Sequence, residues 1–442
     1  MASAHAPLAE ADDRLWPQGL SRREFRINAL WLVFFVLTSN MYLPIGLGPL
    51  PRFAWFPADI LAIAFFLRNQ TLFVALAKRN ALLLSWPVLA CASTLWSGDP
   101  NTSFYHGLQL FTTMLVGLML ASQISIARLL QLLFVTGFIV TVLCFLAVVL
   151  MPSIAFFHTG EWQGLFGHKN ALGGAMAAEI TAGVCLFLYG WRRAFVAGAV
   201  VFSTLVLIMS GSGSAFVVAA IPFVLLPPMF AYRKGLAAFM MTLGLVIMAL
   251  AAVLFVIDLF DVNIVDLVLG RLGKDSTLSG RTILWDFAVD AYERKPWLGY
   301  GYKGYWSGAD STAYLLKVVM EQNLWMFHNN FLEVLVGFGV IGPVVLIGTL
   351  LFAYTCALRS FAESPTYINA WPVIYLVVVT LLCFSENPLF NNHGVHELVL
   401  VSIITARGMQ GWVRKGGELV RVETRPPVWS TAEPIGDRLP AR

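Results

Sequence analysis

The chain has 442 residues, 58% of them hydrophobic and 12% charged, with a formal net charge of +4. Soluble domains carry roughly 25% charged residues, whereas here apolar runs of about 17–25 residues, long enough to cross a bilayer as helices, recur along most of the sequence. The composition excludes a soluble globule and predicts an all-α polytopic membrane protein. The N-terminus lacks the short apolar core and small-residue cleavage site of a removable signal peptide, so the first apolar run is expected to stay in the membrane. Cys91, Cys144, Cys185, Cys356 and Cys383 fall within apolar runs without metal-ligand spacing and read as small buried hydrophobes.

Taken in chain order, the pattern predicts a cytoplasmic segment over 1–27, nine spans within 28–258 and a large outer loop over 259–326. Three further spans follow within 327–411, then a disordered cytoplasmic tail over 412–442 with Pro426, Pro427, Pro434 and Pro440. The expected twelve spans lie near 28–48, 53–68, 81–97, 104–122, 129–151, 170–190, 194–210, 213–231, 236–258, 327–357, 367–385 and 393–411. The second holds Pro57 and Asp59, and the last opens with His393 and His396. With a cytoplasmic N-terminus, 20 of the 29 Lys and Arg residues fall inside, and only Arg52 and Lys169 fall in short outer loops. The remainder lie in the long loop, which escapes the charge rule, so both termini are expected inside.

The first polar group on the outer side is Gly164-Leu165-Phe166-Gly167-His168-Lys169-Asn170. Asn170 is placed to cap the sixth span, whose first N–H groups would point at an anion held by His168 and Lys169. A glycine-rich turn with an interfacial lysine is an equally good reading. Deeper in the same helix, roughly 13 Å at 1.5 Å per residue, lies Glu179. It and Asp59 are intramembrane acids, which are functional candidates by default or else partners of polar groups inside the bundle.

The long loop contains Ser279-Gly280-Arg281-Thr282-Ile283-Leu284-Trp285. Ile283, Leu284, Phe287, Ala288 and Ala291 recur at helical spacing, and Pro296 after Lys295 supplies a stop, so an amphipathic helix against the membrane or the bundle is expected. Arg281 in its first turn opposes the helix dipole. An anionic ligand explains it, and so does pairing with Asp286, Asp290 or a lipid headgroup. The ribbon from Pro296 to Trp306 interleaves glycines with Trp297, Tyr300, Tyr302 and Tyr305, offering flat faces to sugar rings or to the membrane interface. Gly299-x-Gly301 lacks the strand–turn–helix context of a nucleotide fingerprint, and that reading is rejected.

His328-Asn329-Asn330-Phe331-Leu332-Glu333 then re-enters the membrane. A neutral imidazole at a helix mouth suits a general base; an interfacial histidine bonded to a lipid or a loop carbonyl is the alternative. Glu333 does not share a face with His328 and suits orienting a neighbour. Ser385-Glu386-Asn387-Pro388 through Asn391-Asn392-His393 completes the outer polar groups.

Gly164-Leu-Phe-Gly-His-Lys-Asn-Ala-Leu-Gly, Ser279-Gly-Arg-Thr-x-x-Trp, Pro296-x-x-Gly-Tyr-Gly and His328-Asn-x-x-Leu-Glu together resemble the O-antigen ligase/Wzy-type polymerase superfamily, over roughly residues 30–410. Among its branches the chain looks most like the exopolysaccharide polymerases. The resemblance implies a bacterial inner-membrane glycosyltransferase that uses undecaprenyl-diphosphate-linked oligosaccharide at the periplasmic face, without metal, nucleotide or other cofactor. It implies that Arg281 binds the diphosphate and that His328 acts as base or positions the acceptor. His168, Lys169, Asn170, Asn329, Glu333, Trp285, Tyr300 and Glu386 would line the substrate pocket. Lipid-linked donor and acceptor and the bilayer are the expected partners, a chain-length regulator is a candidate partner, and nucleic acid is not expected.

Two departures stand out. Gly213 and Gln163 occupy positions where relatives often carry a cation, so one phosphate-binding cation is either missing or supplied by Lys169, Arg271 or Lys303. Polymerase is the preferred reading. A ligase passing the glycan to lipid A core or protein is the close alternative, and a transporter or flippase using Asp59 and Glu179 is the distant one. A pocket at the outer leaflet would favour the enzyme, and a midplane cavity the transporter.

Overall fold

A computed structural model describes residues 22–39, 41, 51–259, 281–308, 311–320, 324–406, 409, 412–415 and 418–421. Segments 1–21, 42–48, 260–280 (with Arg271, Ser279 and Gly280) and 422–442, all covered by the sequence expectations, lie outside the described residues. The first half runs through α1 (Arg22–Leu37), α2 (Pro51–Arg68), α3 (Gln70–Arg79), α4 (Ala81–Ala92), α5 (Pro100–Gln123), α6 (Ile126–Leu150) and a short α7 (Pro152–Ala155). It continues with α8 (Lys169–Tyr189), α9 (Arg193–Ser210), α10 (Gly213–Ala231) and α11 (Leu236–Leu259). The loop region holds α12 (Arg281–Arg294), a short α13 (Gly304–Ser307) and α14 (Ala313–Met320). Then come α15 (Asn330–Phe338), α16 (Ile341–Glu363), α17 (Tyr367–Leu382) and α18 (Val395–Ala406).

Among the described residues, 6 helices are long and apolar enough to cross a membrane: α5, α6, α8, α9, α10 with its following turn, and α16. The number becomes 7 if α2 and α3, bent by 103° at their junction, count as one. Ala81–Leu95, Leu236–Met248 within α11, α17 and α18 are shorter apolar stretches among the described residues. The protein is therefore an all-helical membrane bundle in outline. The expected continuous span over 327–357 is instead two helices, because Gly339 (φ +60) turns the chain between Phe338 and Ile341. A Cβ there would sit 2.4 Å from the Trp297 carbonyl, so only glycine fits. Within the expected disordered tail, Trp412–Lys415 (β1) pairs antiparallel with Glu418–Arg421 (β2).

Local sequence explains the helix starts. Asp99 caps α5 by accepting from the Thr102 amide at 3.1 Å, with Pro100 in the first turn, where a missing N–H costs nothing. Ser125 caps α6 and Thr366 caps α17 in the same way. α8 is buried on most sides by α6, α9, α10 and α17, as a helix without a polar face must be. Gly183 lets Phe134 and Val200 approach, and Gly137 does the same for Glu179, the small-residue device of membrane packing. Glu179 accepts a hydrogen bond from the Thr141 hydroxyl at 2.6 Å, so this acid is a partner of polar groups within the bundle.

Candidate active site

The loop region packs on the end of the bundle where α4, α17 and α15 terminate or begin. α12 buries Leu284, Ala288 and Ala291 and packs against α15, so the bundle rather than the bilayer receives its apolar face. The Trp285 indole N–H donates to the Phe327 carbonyl at 3.2 Å, tying α12 to the segment that leads into His328. The glycine-aromatic ribbon runs against the C-terminal end of α15. The Tyr300 amide donates to the Val336 carbonyl at 2.9 Å and the Gly301 amide to the Gly337 carbonyl at 2.9 Å. A Cβ on Gly299 would meet the Val336 oxygen at 2.4 Å, which gives Gly299-x-Gly301 a packing reason in place of a nucleotide one.

This arrangement corrects one expectation. Tyr300 is only 1% exposed, packed edge-on against Tyr305 beneath the Lys295 ammonium, so it offers no face to a sugar. The exposed aromatic of the ribbon is Trp297, at 75%.

At the centre of this end, Glu386 joins the two residues the motifs single out. Its Oε1 accepts from Arg281 Nη2 at 3.1 Å, and its Oε2 lies 3.0 Å from His328 Nδ1. Arg281 therefore pairs with neither Asp286 nor Asp290; Asp290 instead pairs with Arg294 at 2.8 Å. Burial pushes the Glu386 carboxyl up, but the hydrogen bond and charge of His328 and the Arg281 guanidinium outweigh it and hold it below its ordinary value. Glu386 Oε2 faces Nδ1, so an imidazole that donates its Nδ1–H to this carboxylate has its Nε2 turned away from Glu386.

The backbone around His328 is unusual. His328 has φ +51, and Lys303, Phe390 and His393 nearby are also in the left-handed region that non-glycine residues seldom occupy. Such conformations persist where the surroundings over-determine them, and they concentrate at functional sites. Here the Phe327 peptide is clamped by Trp285 on its carbonyl and by Glu333 Oε2 on its amide at 3.1 Å. The other oxygen of Glu333 accepts from the Trp306 indole at 2.9 Å, so Glu333 does orient neighbours and not His328 itself. Asn329 caps α15, its Oδ1 accepting from the Phe331 and Leu332 amides at 3.0 and 3.2 Å. A cavity of ≈ 20 Å³ lies beside Glu333, lined among others by Lys303, Trp306, Phe327 and Asn387. It has room for about one water molecule.

The Gly164–Asn170 loop is built differently. His168, not Asn170, caps α8: its Nδ1 accepts from the Asn170 amide at 3.1 Å. The reason is geometric, since His168 has extended backbone while Lys169 and Asn170 already lie in the helix. Lys169 is 4% exposed and pairs with Glu161 at 2.5 Å. Burial pushes the Glu161 carboxyl up, yet the hydrogen bonds from Lys169 and Thr159 and the lysine charge bring it down to about 2. Lys169 is thus committed to an acid eight residues earlier in the chain. Lys303, the other cation considered, donates to Asn391 Oδ1 at 3.0 Å beside the Glu386 segment. Gly213 begins α10 behind Ser212, and Arg271 lies outside the described residues.

The sequence patterns missed Glu161 and the pairing of Asp59. Asp59 Oδ2 lies 3.0 Å from His393 Nε2, and the His393 ring stacks on Trp55 at 4.8 Å. The oppositely charged residue eight positions before Lys169 was a readable signal for Glu161. Nothing local in the sequence marks Asp59 as a partner of a residue more than three hundred positions away.

Residues 198–347, which include Arg281, Trp285, His328 and Glu333, match the family model described as O-antigen ligase. The chain is also 29% identical over 288 residues to the exopolysaccharide production protein ExoQ of Rhizobium meliloti (strain 1021). That similarity covers 62% of this chain and 64% of ExoQ, so the chain spans less than two thirds of the length of the curated relative it matches. The O-antigen ligase match encloses the Arg281 and His328 elements but not Glu386, nor the Gly164–Asn170 loop.

Proposed function

We propose that this protein is a membrane glycosyltransferase of polysaccharide production. It transfers an oligosaccharide from undecaprenyl diphosphate to another lipid-linked repeat unit at the periplasmic face of the inner membrane. The observation that carries this reading is Glu386 held between Arg281 and His328. The O-antigen ligase domain and the likeness to ExoQ support the reaction class.

In this reading Arg281 faces the diphosphate. Bond cleavage at the anomeric carbon leaves negative charge on the phosphate oxygen, and a fixed guanidinium stabilises that charge most where water is excluded. The acceptor hydroxyl gives its proton to His328 Nε2 as it attacks, and Glu386 stabilises the imidazolium that results. With base and leaving group on opposite faces of the sugar, the anomeric configuration inverts. Asn329 caps the helix that follows His328, Glu333 holds the Phe327 amide before it, and Trp285 fixes the loop helix that presents Arg281. His168 and Lys169 stand outside the reacting centre, His168 capping α8 and Lys169 paired with Glu161.

The transporter reading is weaker, because Asp59 is paired with His393 and Glu179 with Thr141, and the small cavity adjoins Glu333 at the loop end. The ligase reading is favoured by the name of the matched domain. Purified protein supplied with lipid-linked repeat units should build polymer, followed on a gel. Arg281→Ala and His328→Ala should abolish elongation; full activity in both would sink the assignment. Preferential transfer to added lipid A core would replace polymerase by ligase.

A further inference from the structure

Glu386 sits on a connecting segment, between α17 and α18, and its side chain is 42% exposed. A carboxylate on an ordinary loop would not hold a guanidinium and an imidazole in register. The segment that follows it is not ordinary. The Leu389 amide donates to Asn330 Oδ1 at 2.8 Å, and the Phe390 carbonyl accepts from the Tyr302 hydroxyl at 2.8 Å. The Asn391 amide donates to Glu397 Oε1 at 2.8 Å, the Asn392 amide to the Tyr302 hydroxyl at 3.2 Å, and the His393 amide to Thr113 Oγ1 at 2.8 Å. Each successive residue from 389 to 393 thus has a backbone group held by a side chain, and the side chains come from α5, α15, α18 and the ribbon.

The hydroxyl anchors are themselves held by more than one hydrogen bond. The Tyr302 hydroxyl donates once and accepts once, and burial pushes its phenol up, so it keeps the proton it donates. Thr113 Oγ1 donates to the Gln109 carbonyl at 2.7 Å while accepting from His393. Phe390 and His393 hold left-handed backbone, and their rings are locked by stacking on Trp86 at 3.7 Å and Trp55 at 4.8 Å. Asn330 closes the arrangement from the other side. It is fully buried, its backbone N–H donates to the Cys383 carbonyl at 2.8 Å and its side-chain Oδ1 accepts from the Leu389 amide. The residue two places after His328 therefore grips the Glu386 segment on both flanks.

We propose that residues 387–393 form a pinned strap that positions Glu386 against His328 and Arg281, with Asn330, Tyr302 and Thr113 as its positioning residues. The proposal rests on the glycosyl-transfer reading for its consequence but not for its geometry. A reacting constellation must be held to within about 0.5 Å by residues that are themselves locked, and misplacement by about 1 Å can cost a hundredfold in rate.

The test separates the two layers. Full-length protein in lipid nanodiscs, labelled with ¹⁵N-histidine, gives a His328 ring signal identified by its loss in His328→Gln. Glu386→Gln should move that signal. Tyr302→Phe and Thr113→Val should move it in the same direction, and Thr113→Ser, which restores the acceptor, should return it. In elongation assays kcat should fall about tenfold in Tyr302→Phe and Thr113→Val and about a hundredfold in Asn330→Ala, with KM within about twofold and recovery in Thr113→Ser. If Glu386→Gln moves the His328 signal and Tyr302→Phe and Thr113→Val do not, the strap does not position Glu386. If Glu386→Gln leaves the signal in place, the pair itself is absent and the proposal falls with it. If all signals move as expected but wild-type protein makes no polymer, the glycosyl-transfer reading fails and the strap geometry stands.

Discussion

Two basic groups end up in contrasting surroundings. Arg281 and His328 share one carboxylate, Glu386, and remain partly exposed, with side-chain exposures of 22% and 29%. Lys169 is sunk to 4% exposure and closed off by Glu161. The first arrangement leaves guanidinium donors and an imidazole nitrogen to meet a substrate. The second uses its cation to neutralise an acid within a structural turn. A cation beside a glycine-rich helix start is therefore insufficient evidence of an anion site, since burial and pairing decide what charge is left to offer.

The largest effects should separate these regions most sharply. Arg281→Ala and His328→Ala should each lower elongation by at least about a hundredfold, the scale of losing general-base or charge stabilisation, while leaving thermal stability within a few degrees. Glu386→Gln keeps size but loses charge, and should lower the rate by about ten- to a hundredfold. The corresponding change in the other region, Glu161→Gln, strands a buried ammonium and should cost about 3 kcal/mol of stability. The double variant Glu161→Gln with Lys169→Met should recover most of it. The contrast breaks if Glu161→Gln impairs elongation with no change in unfolding temperature, for Lys169 would then be serving the substrate.

A pH test sharpens the same point. The folded Glu161 carboxyl lies at about 2 against an ordinary 4.5, so its contribution to stability is complete above 4.5 and is lost as pH falls toward about 2. Glu161→Gln should flatten the unfolding-temperature curve over that window; an unchanged slope would refute the ion pair. The smallest expected effect is at Asn329, whose cap contributes about 1 kcal/mol. Asn329→Ala should lower stability by that amount and Asn329→Asp should not. A large kinetic loss in both would mean that Asn329 touches substrate.

Much of this was legible in the residues themselves. Apolar run length settles that helices cross a membrane, because burial of side chains in hydrocarbon is summed locally along the chain. Helical spacing from Ile283 to Ala291 announced α12, and the ordered motifs around Arg281 and His328 resembled the family whose O-antigen ligase model matches residues 198–347. Other features depended on which chain ends meet. Arg281 finds Glu386 across 105 positions and His328 finds it across 58. The break at Gly339 follows from close approach of the ribbon backbone, which no hydropathy pattern contains. Residue type alone left Lys169 and Arg281 as equivalent cations. Only the fold distinguished them, because an ion pair or a hydrogen bond is made or lost over less than an ångström, and that distance is set by packing rather than by neighbours in sequence.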